Sequence, residues 1–154
     1  MGAQNILVPY NFTQNDEKAI AFVIDSYGPQ PDTRITLLHA YVPVPDIEIS
    51  DKTVMRRLAG NLAYLRQKKY DLKEELQQAR LRLVTAGFSE KNVQCIFKPQ
   101  EKETAQEIID QAVKGKFTAI VLNHHPSKIR KYFTPSVTKR VARALKGVEL
   151  TVVG

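Results

Sequence analysis

The sequence has little of several residue types and patterns that mark particular classes of protein. It contains a single cysteine, Cys95, and no tryptophan. One cysteine cannot form an internal disulfide, which predicts a reducing compartment, the cytoplasm. No apolar run approaches the roughly 20 residues that a membrane-spanning helix needs. The first residues also lack the basic lead of a secretory signal peptide. We therefore expect a soluble cytoplasmic protein with no membrane contact.

Acidic residues are absent from the stretch between Asn123 and Val148. Of the 23 basic residues, seven lie in this stretch, and the other 16 equal the 16 acidic residues in number. The whole formal net charge of +7 therefore comes from one segment. Its seven basic residues are Lys128, Arg130, Lys131, Lys139, Arg140, Arg143 and Lys146. A basic stripe is most often a solvated face, but it also meets the minimum requirement for non-specific nucleic-acid binding.

Apolar runs alternate with helical stripes along all 154 residues, and no linker separates them, which predicts one domain, residues 1–154. Strands are predicted at residues 6–8, 35–41, 93–97, 118–122 and 150–153, with a helix between each pair. This alternation predicts an α/β fold, a doubly wound five-stranded parallel sheet with helices on both faces. The third strand alternates apolar and polar residues, which predicts an edge position. Thr104 and Glu107 fit a capping box, with Thr104 as the N-cap.

The second predicted helix, from about residue 51 to residue 86, is unusually long. Its stripe steps by four and three residues: Leu58, Leu62, Leu65, Lys69, Leu72, Leu76, Ala79, Leu83 and Ala86. This heptad pattern fits either a core stripe lying on the sheet or a contact with a partner. A helix of this length reaches about 50 Å, whereas a strand spans roughly 20 Å. Either the helix breaks near Gly60, or one end projects and contacts a partner.

The loops at the carboxyl ends of the strands offer no recognisable catalytic set. The loop 9–15 contains no glycine, which excludes a Walker loop and a dinucleotide fingerprint. No nucleophile–base pair, paired carboxylates or metal cage is identified, so the sequence predicts a protein that is not an enzyme. His124 and His125 are adjacent and have no cysteine or carboxylate near them in sequence, so no metal site is predicted. His39 is interpreted as a hydrogen-bonded core residue, and Cys95 as an inert thiol.

Several segments resemble the universal stress protein family. Residues 5–13 read Asn-Ile-Leu-Val-Pro-Tyr-Asn-Phe-Thr, similar to the family opening Ile-Leu-Val-Pro-Val-Asp-x-Ser. Residues 35–40 resemble the family's second strand, and residues 119–123 with 135–141 resemble its fourth strand and last helix. Residues 150–153 resemble its final strand. The resemblance implies the strand order 3-2-1-4-5, an adenine-nucleotide site and a homodimer formed through residues 150–153.

The chain departs from the family's ATP-binding motif, Gly-x2-Gly-x9-Gly-Ser/Thr. Asn123, Pro126 and Pro135 stand at the glycine positions, and only the hydroxyl of Ser136 remains. Proline fixes φ and removes a backbone donor, so the resemblance implies that ATP binding is weak or lost. Asn11 stands where the family has an aspartate. The ligand-site residues implied by resemblance are Pro9, Tyr10, Asn11, Ala40, Asn123, Pro126, Ser136 and Val137.

An anion site is predicted at the start of the last helix. The free N–H groups around residues 136–138 carry the positive end of the helix dipole. Lys128, Arg130 and Lys131 lie just before them, and Ser136 adds a hydroxyl. The alternative is an ordinary helix start, with Thr134 as N-cap and a proline at the first helical position.

Three functional hypotheses follow, in this order. The first is a small dimeric stress-response or regulatory module with weak or lost ATP binding. The second is a protein that binds a nucleotide or another small phosphorylated ligand through its altered loop. The third is non-specific nucleic-acid binding through the basic last helix, which ranks lowest because neither a base-reading motif nor an aromatic stacking platform is present. No cofactor is assigned with certainty, and ATP or another adenine nucleotide is the candidate.

Overall fold

The computed structural model describes residues 4–12, 14–28, 30–42, 52–123 and 135–153. Within these residues the chain forms five strands and four α-helices. The strands are β1 (Gln4–Pro9), β2 (Thr33–Tyr41), β3 (Val93–Pro99), β4 (Ala119–Asn123) and β5 (Glu149–Val153). The helices are α1 (Gln14–Tyr27), α2 (Lys52–Thr85), α3 (Thr104–Lys114) and α4 (Pro135–Ala144), with a short 3-10 turn at Glu90–Asn92.

The five strands form one parallel sheet in the order β3-β2-β1-β4-β5. Val8 of β1 is in register with Leu37 of β2, and Ile6 is in register with Ala119 of β4. This arrangement confirms the predicted fold class and strand order, and it places β3 at an edge as the alternating pattern indicated. β4 lies between β1 and β5 and is buried along its whole length.

Two separate apolar cores hold the helices on opposite faces of the sheet. Ile6 and Val8 of β1 point to one face and join a cluster that includes residues of α1 and α2. Leu7 points to the other face and joins a cluster with Ile108 of α3 and Val141 of α4. Burying each such side chain stabilises the fold by about 1.5–3 kcal/mol. The helix after β1 and the helix after β4 therefore lie on opposite faces.

Helix α2 is continuous over 34 residues and passes through Gly60 without a break. Of the two alternatives that the length of the helix left open, the break near Gly60 is therefore excluded. Its last part packs on the sheet, where Leu76, Ala79 and Leu83 are fully buried. Between residues 60 and 68 every side chain except Leu62 is exposed, so this part of the helix extends past the sheet. The heptad stripe is therefore a core stripe at its C-terminal end, whereas Leu65, further toward the N-terminus, is exposed.

The start of α3 differs from the predicted capping box. Glu103 is the N-cap, and its side chain makes no capping hydrogen bond to the helix backbone. Glu107 instead turns its carboxylate toward the loop after β3, where it accepts N–H bonds from Glu101 at 3.1 Å and Lys102 at 2.9 Å. The Lys98 ammonium lies 2.7 Å from the same carboxylate. Glu107 therefore fixes the loop that connects β3 to α3.

Candidate functional site

The strand order places the most favourable binding position between the carboxyl ends of β1 and β4. The helices that follow these two neighbouring strands leave toward opposite faces, and ligands of doubly wound sheets bind at such a point. We call it the switch-point crevice. The loop after β1 is fixed beside it: the Tyr10 N–H donates to the Leu38 carbonyl at 2.8 Å. His39 Nδ1 donates to the Tyr10 carbonyl at 2.8 Å.

A buried carboxylate lies between the carboxyl ends of β1 and β4. Asp16, in the first turn of α1, is only 1% exposed. Its Oδ1 accepts the Asn11 N–H at 3.0 Å and a hydrogen bond from Asn123 Nδ2. Asp16 thus joins the loop after β1 to the end of β4. The sequence interpretation missed this residue, although an acid in the first turn of a helix that follows such a loop is a signal for it.

Two buried polar atoms beside this carboxylate lack hydrogen-bond partners within the described residues. They are Asn11 Nδ2, a donor, and Asn123 Oδ1, an acceptor. Leaving a buried polar group unpaired costs about 1–3 kcal/mol. A group that presents both an acceptor and a donor, as a nucleobase edge does, matches this pair chemically.

Aromatic rings cover the neighbouring carboxyl ends of β1, β2 and β3. The Phe12 ring packs edge-on against Tyr10 at 5.0 Å and against His39 at 4.6 Å between centroids. Phe97 stacks on His39 at 5.8 Å and meets Tyr41 at 4.5 Å. Phe12 has a φ of 60°, a backbone conformation that costs a non-glycine residue about 1–2 kcal/mol. Its ring contacts offset part of that cost, so the loop is shaped around an apolar cluster.

Burial favours the neutral forms of three titratable side chains, those of Tyr10, His39 and Cys95. Burial, and then the Asp16 carboxylate, raise the pKa of Tyr10. Burial lowers the pKa of His39 more than its bond to the Tyr10 carbonyl raises it, as expected for a core histidine. Burial also raises the pKa of Cys95 to about 11. Its Sγ lies 3.7 Å from the Leu76 carbonyl, and the raised pKa disfavours the reactive thiolate form.

A second surface feature lies on the outer side of α4. It is a shallow groove of about 520 Å³, lined by Ser136, Lys139, Arg140, Arg143 and Ala144. Arg140 is held by an ion pair with Glu103 and a 3.1 Å hydrogen bond to Gln106. In the part of the chain that the structure describes, Lys139 and Arg143 form no ion pair. We call this feature the α4 groove.

The structure brings four of the predicted site residues together. Pro9, Tyr10, Asn11 and Asn123 lie together at the carboxyl ends of β1 and β4, and the two asparagines share Asp16. Ala40 lies near the end of β2, in register with a residue of the β3 edge strand.

The other predicted site residues lie on α4 or outside the described ranges. Ser136 is exposed at the α4 groove. Val137 packs against the apolar core beneath α3 and α4. Seven residues considered in the sequence analysis lie outside the described residues: His124, His125, Pro126, Lys128, Arg130, Lys131 and Thr134.

The described ranges hold neither a metal-binding cluster nor a membrane-spanning helix. They contain no group of three or more histidine, cysteine, aspartate or glutamate side chains that could hold a metal ion. None of the helices in those ranges combines the length and hydrophobicity needed to cross a bilayer.

Comparison with known proteins gives matches over nearly the whole chain. The sequence model of the universal stress protein family matches residues 2–148. The solved structure of hypothetical protein MJ0577 is 19% identical, with a TM-score of 0.67, covering 99% of this chain and 96% of that one. Universal stress protein UspA from Lactobacillus plantarum is 18% identical, with a TM-score of 0.63, covering 100% and 99%.

A third solved structure carries a ligand. It is the universal stress protein from Archaeoglobus fulgidus in complex with dAMP, which is 14% identical with a TM-score of 0.60 and covers 99% and 98% of the two chains. At such identities, the structural likeness shows a shared fold alone. No curated protein matches this sequence significantly.

Proposed function

This chain belongs to the universal stress protein family, and we propose that it is a stress-response regulatory module that binds an adenine ligand in the switch-point crevice but binds ATP only weakly. The relative from Archaeoglobus fulgidus was solved with dAMP, which supports an adenine-type ligand for the fold. The family match and the absence of an identifiable catalytic set in the sequence support a binding module, and we assign no catalytic residue. We also place it in the cytoplasm, because its only cysteine cannot form an internal disulfide.

The observation that carries this proposal is the buried Asp16 carboxylate bound to Asn123. Two like unit charges about 6 Å apart repel by about 3 kcal/mol at an effective dielectric constant of 20. A triphosphate brought to the end of β4 would meet this carboxylate. The proline at position 135 also offers no N–H to a phosphate. Both features disfavour a highly charged ligand.

The same site favours an uncharged heterocycle. Asn11 Nδ2 and Asn123 Oδ1 offer an unused donor and acceptor, and the adjoining cluster of Tyr10, Phe12 and His39 offers apolar ring surface. Base recognition by such a set does not need phosphate contacts. We therefore expect the adenine and ribose parts of a ligand to supply most of its binding free energy.

The first test is whether the purified protein carries a nucleotide. The protein is denatured, and the supernatant is analysed by mass spectrometry against a standard of known concentration. We expect less than one-tenth equivalent of ATP per chain. Stoichiometric ATP in the supernatant would contradict the proposal and favour an altered loop that still clamps phosphates.

We also propose that the protein is a homodimer joined through β5. This strand is an edge of the sheet, and in the described part of the chain nothing pairs with its outer side. Val152 on this strand is exposed. An uncovered apolar edge strand favours association, and pairing with a second copy of residues 150–153 would cover it.

A small phosphate or sulfate at the start of α4 is the second candidate function. Ser136 lies exposed in the first turn, and Lys139 and Arg143 carry unpaired charges one and two turns further along. These groups suit a compact anion better than a full triphosphate, because the first helical residue is a proline without an N–H.

A further inference from the structure

The α4 groove carries charge that the site in the switch-point crevice does not use. Lys139, Arg143 and Lys146 follow one another in steps of four and three residues, so they lie on one side of the helix and of the turn after it. All three side chains are exposed. Val137 and Val141, on the opposite side of α4, pack against the sheet. The basic side is therefore fixed toward solvent by the core contacts of the helix.

The acidic side chain that contacts α4 is already paired. Glu103 pairs with Arg140, and Gln106 accepts a second hydrogen bond from the same guanidinium. This contact neutralises one of the four cations near the groove. It leaves Lys139 and Arg143, which have no ion pair within the described ranges, free to contact an external anion.

The surroundings of the groove limit the kind of anion. The exposed large apolar side chains of the described residues lie on other elements, so none on α4 could anchor a protein partner or enter a membrane. The described aromatic contacts lie at the carboxyl ends of β1 to β3 or on α1, not on α4. Within the described residues, therefore, α4 offers no ring surface of the kind on which single-stranded nucleic acid stacks.

We propose that Lys139, Arg143 and Lys146 form a docking surface for the phosphate backbone of double-stranded nucleic acid, bound without regard to sequence. A duplex presents one charge per about 1.7 Å of its axis, and neutralising its phosphates releases counterions, which is sufficient for non-specific affinity. Arginine contributes a two-pronged phosphate contact and lysine a point charge. The proposal is independent of nucleotide binding, because the residues lie outside the switch-point crevice.

The test is fluorescence anisotropy with a labelled 20-base-pair DNA duplex, titrated with the full-length protein at several salt concentrations between 25 and 200 mM. The variant Lys139→Gln/Arg143→Gln removes two contacts. Each phosphate contact contributes about 0.9 to the slope of log affinity against log salt, so the variant is expected to flatten the slope by about 1.8. The control Lys68→Gln/Lys73→Gln makes the same change of net charge on the exposed side of α2, and its slope should match that of the parent.

Three results would overturn the proposal. The first is an equal loss in both variants, which would mean that net charge alone matters. The second is a single strand of the same length that binds as tightly as the duplex. The third is an acidic peptide such as poly-glutamate that binds as tightly as the duplex, which would assign the surface to a protein partner. Circular dichroism of both variants verifies that each is folded.

Discussion

The carboxylate of Asp16 accepts a hydrogen bond from the side-chain amide of Asn123, although 107 positions separate the two residues in the chain. The contact joins the first turn of α1 to the last residue of β4. The family resemblance places Asn123 at the first glycine position of the ATP motif, and its side chain binds the buried Asp16 carboxylate. The same contact bears on both the stability and the ligand preference of the protein.

Removing the Asp16 carboxylate should destabilise the fold. Asp16→Ala leaves the Asn11 N–H and the Asn123 amide without their acceptor, and each unpaired buried group costs about 1–3 kcal/mol. We expect the free energy of unfolding in urea to fall by about 2–4 kcal/mol. Asp16→Asn keeps an oxygen in the same position and should lose less than half as much. Equal losses for the two variants would show that the hydrogen bonds do not matter.

Glu107 should make stability depend on pH in the acid range. Burial alone would raise its pKa, but the Lys98 ammonium and the N–H groups of Glu101 and Lys102 outweigh burial and lower it. Because the folded pKa lies below the unfolded one, the stabilisation is present at neutral pH and is lost as the pH falls through the folded pKa. Urea unfolding measured from pH 7 to pH 3 should show a smaller loss of stability in Glu107→Gln than in the parent. A variant with the same pH dependence as the parent would assign that dependence to other carboxyl groups.

Dimerisation through β5 predicts that one substitution at the edge separates the subunits. Light scattering at micromolar concentration should give twice the chain mass of 17.4 kDa for the parent. Val152→Lys places a charge on the proposed interface and should give the monomer mass. Val113→Lys is the matched control, because that valine is also exposed but lies on α3. A monomeric parent, or a control that dissociates equally, would refute the interface.

Phosphate binding at the start of α4 should appear in the backbone amides of that turn. Titration with inorganic phosphate, followed by NMR, should shift the amides of residues 136–138 more than any others. Ser136→Ala and Lys128→Ala/Arg130→Ala should each weaken binding, because they remove a hydroxyl and two neighbouring charges. Shifts that cluster elsewhere, or parent-like affinity in both variants, would mean that the site is misplaced.

The fold follows from the sequence more completely than the site does. Alternating strands and helices specify a doubly wound sheet because buried parallel strands and right-handed crossovers leave few other arrangements. The length of α2 predicted that it outgrows the sheet, but no sequence signal decided between a break at Gly60 and projection. Both residues of the Asp16–Asn123 pair were visible in the sequence, yet only the tertiary fold brings them together. The prediction of a capping box was wrong. The Glu107 carboxylate binds the Lys98 ammonium and N–H groups of the preceding loop instead of the backbone N–H of Thr104.

The most direct test of the central claim is calorimetry of ATP and adenosine with the parent and with Asp16→Asn. The parent should bind ATP with a dissociation constant no tighter than about 100 µM, because lost phosphate donors at about 1–2 kcal/mol each weaken a micromolar site at least tenfold. Adenosine should bind more tightly than ATP. Removing the charge should tighten ATP about tenfold, equivalent to about 1.4 kcal/mol, and leave adenosine unchanged. Low-micromolar ATP affinity in the parent, unaltered in Asp16→Asn, would contradict the account.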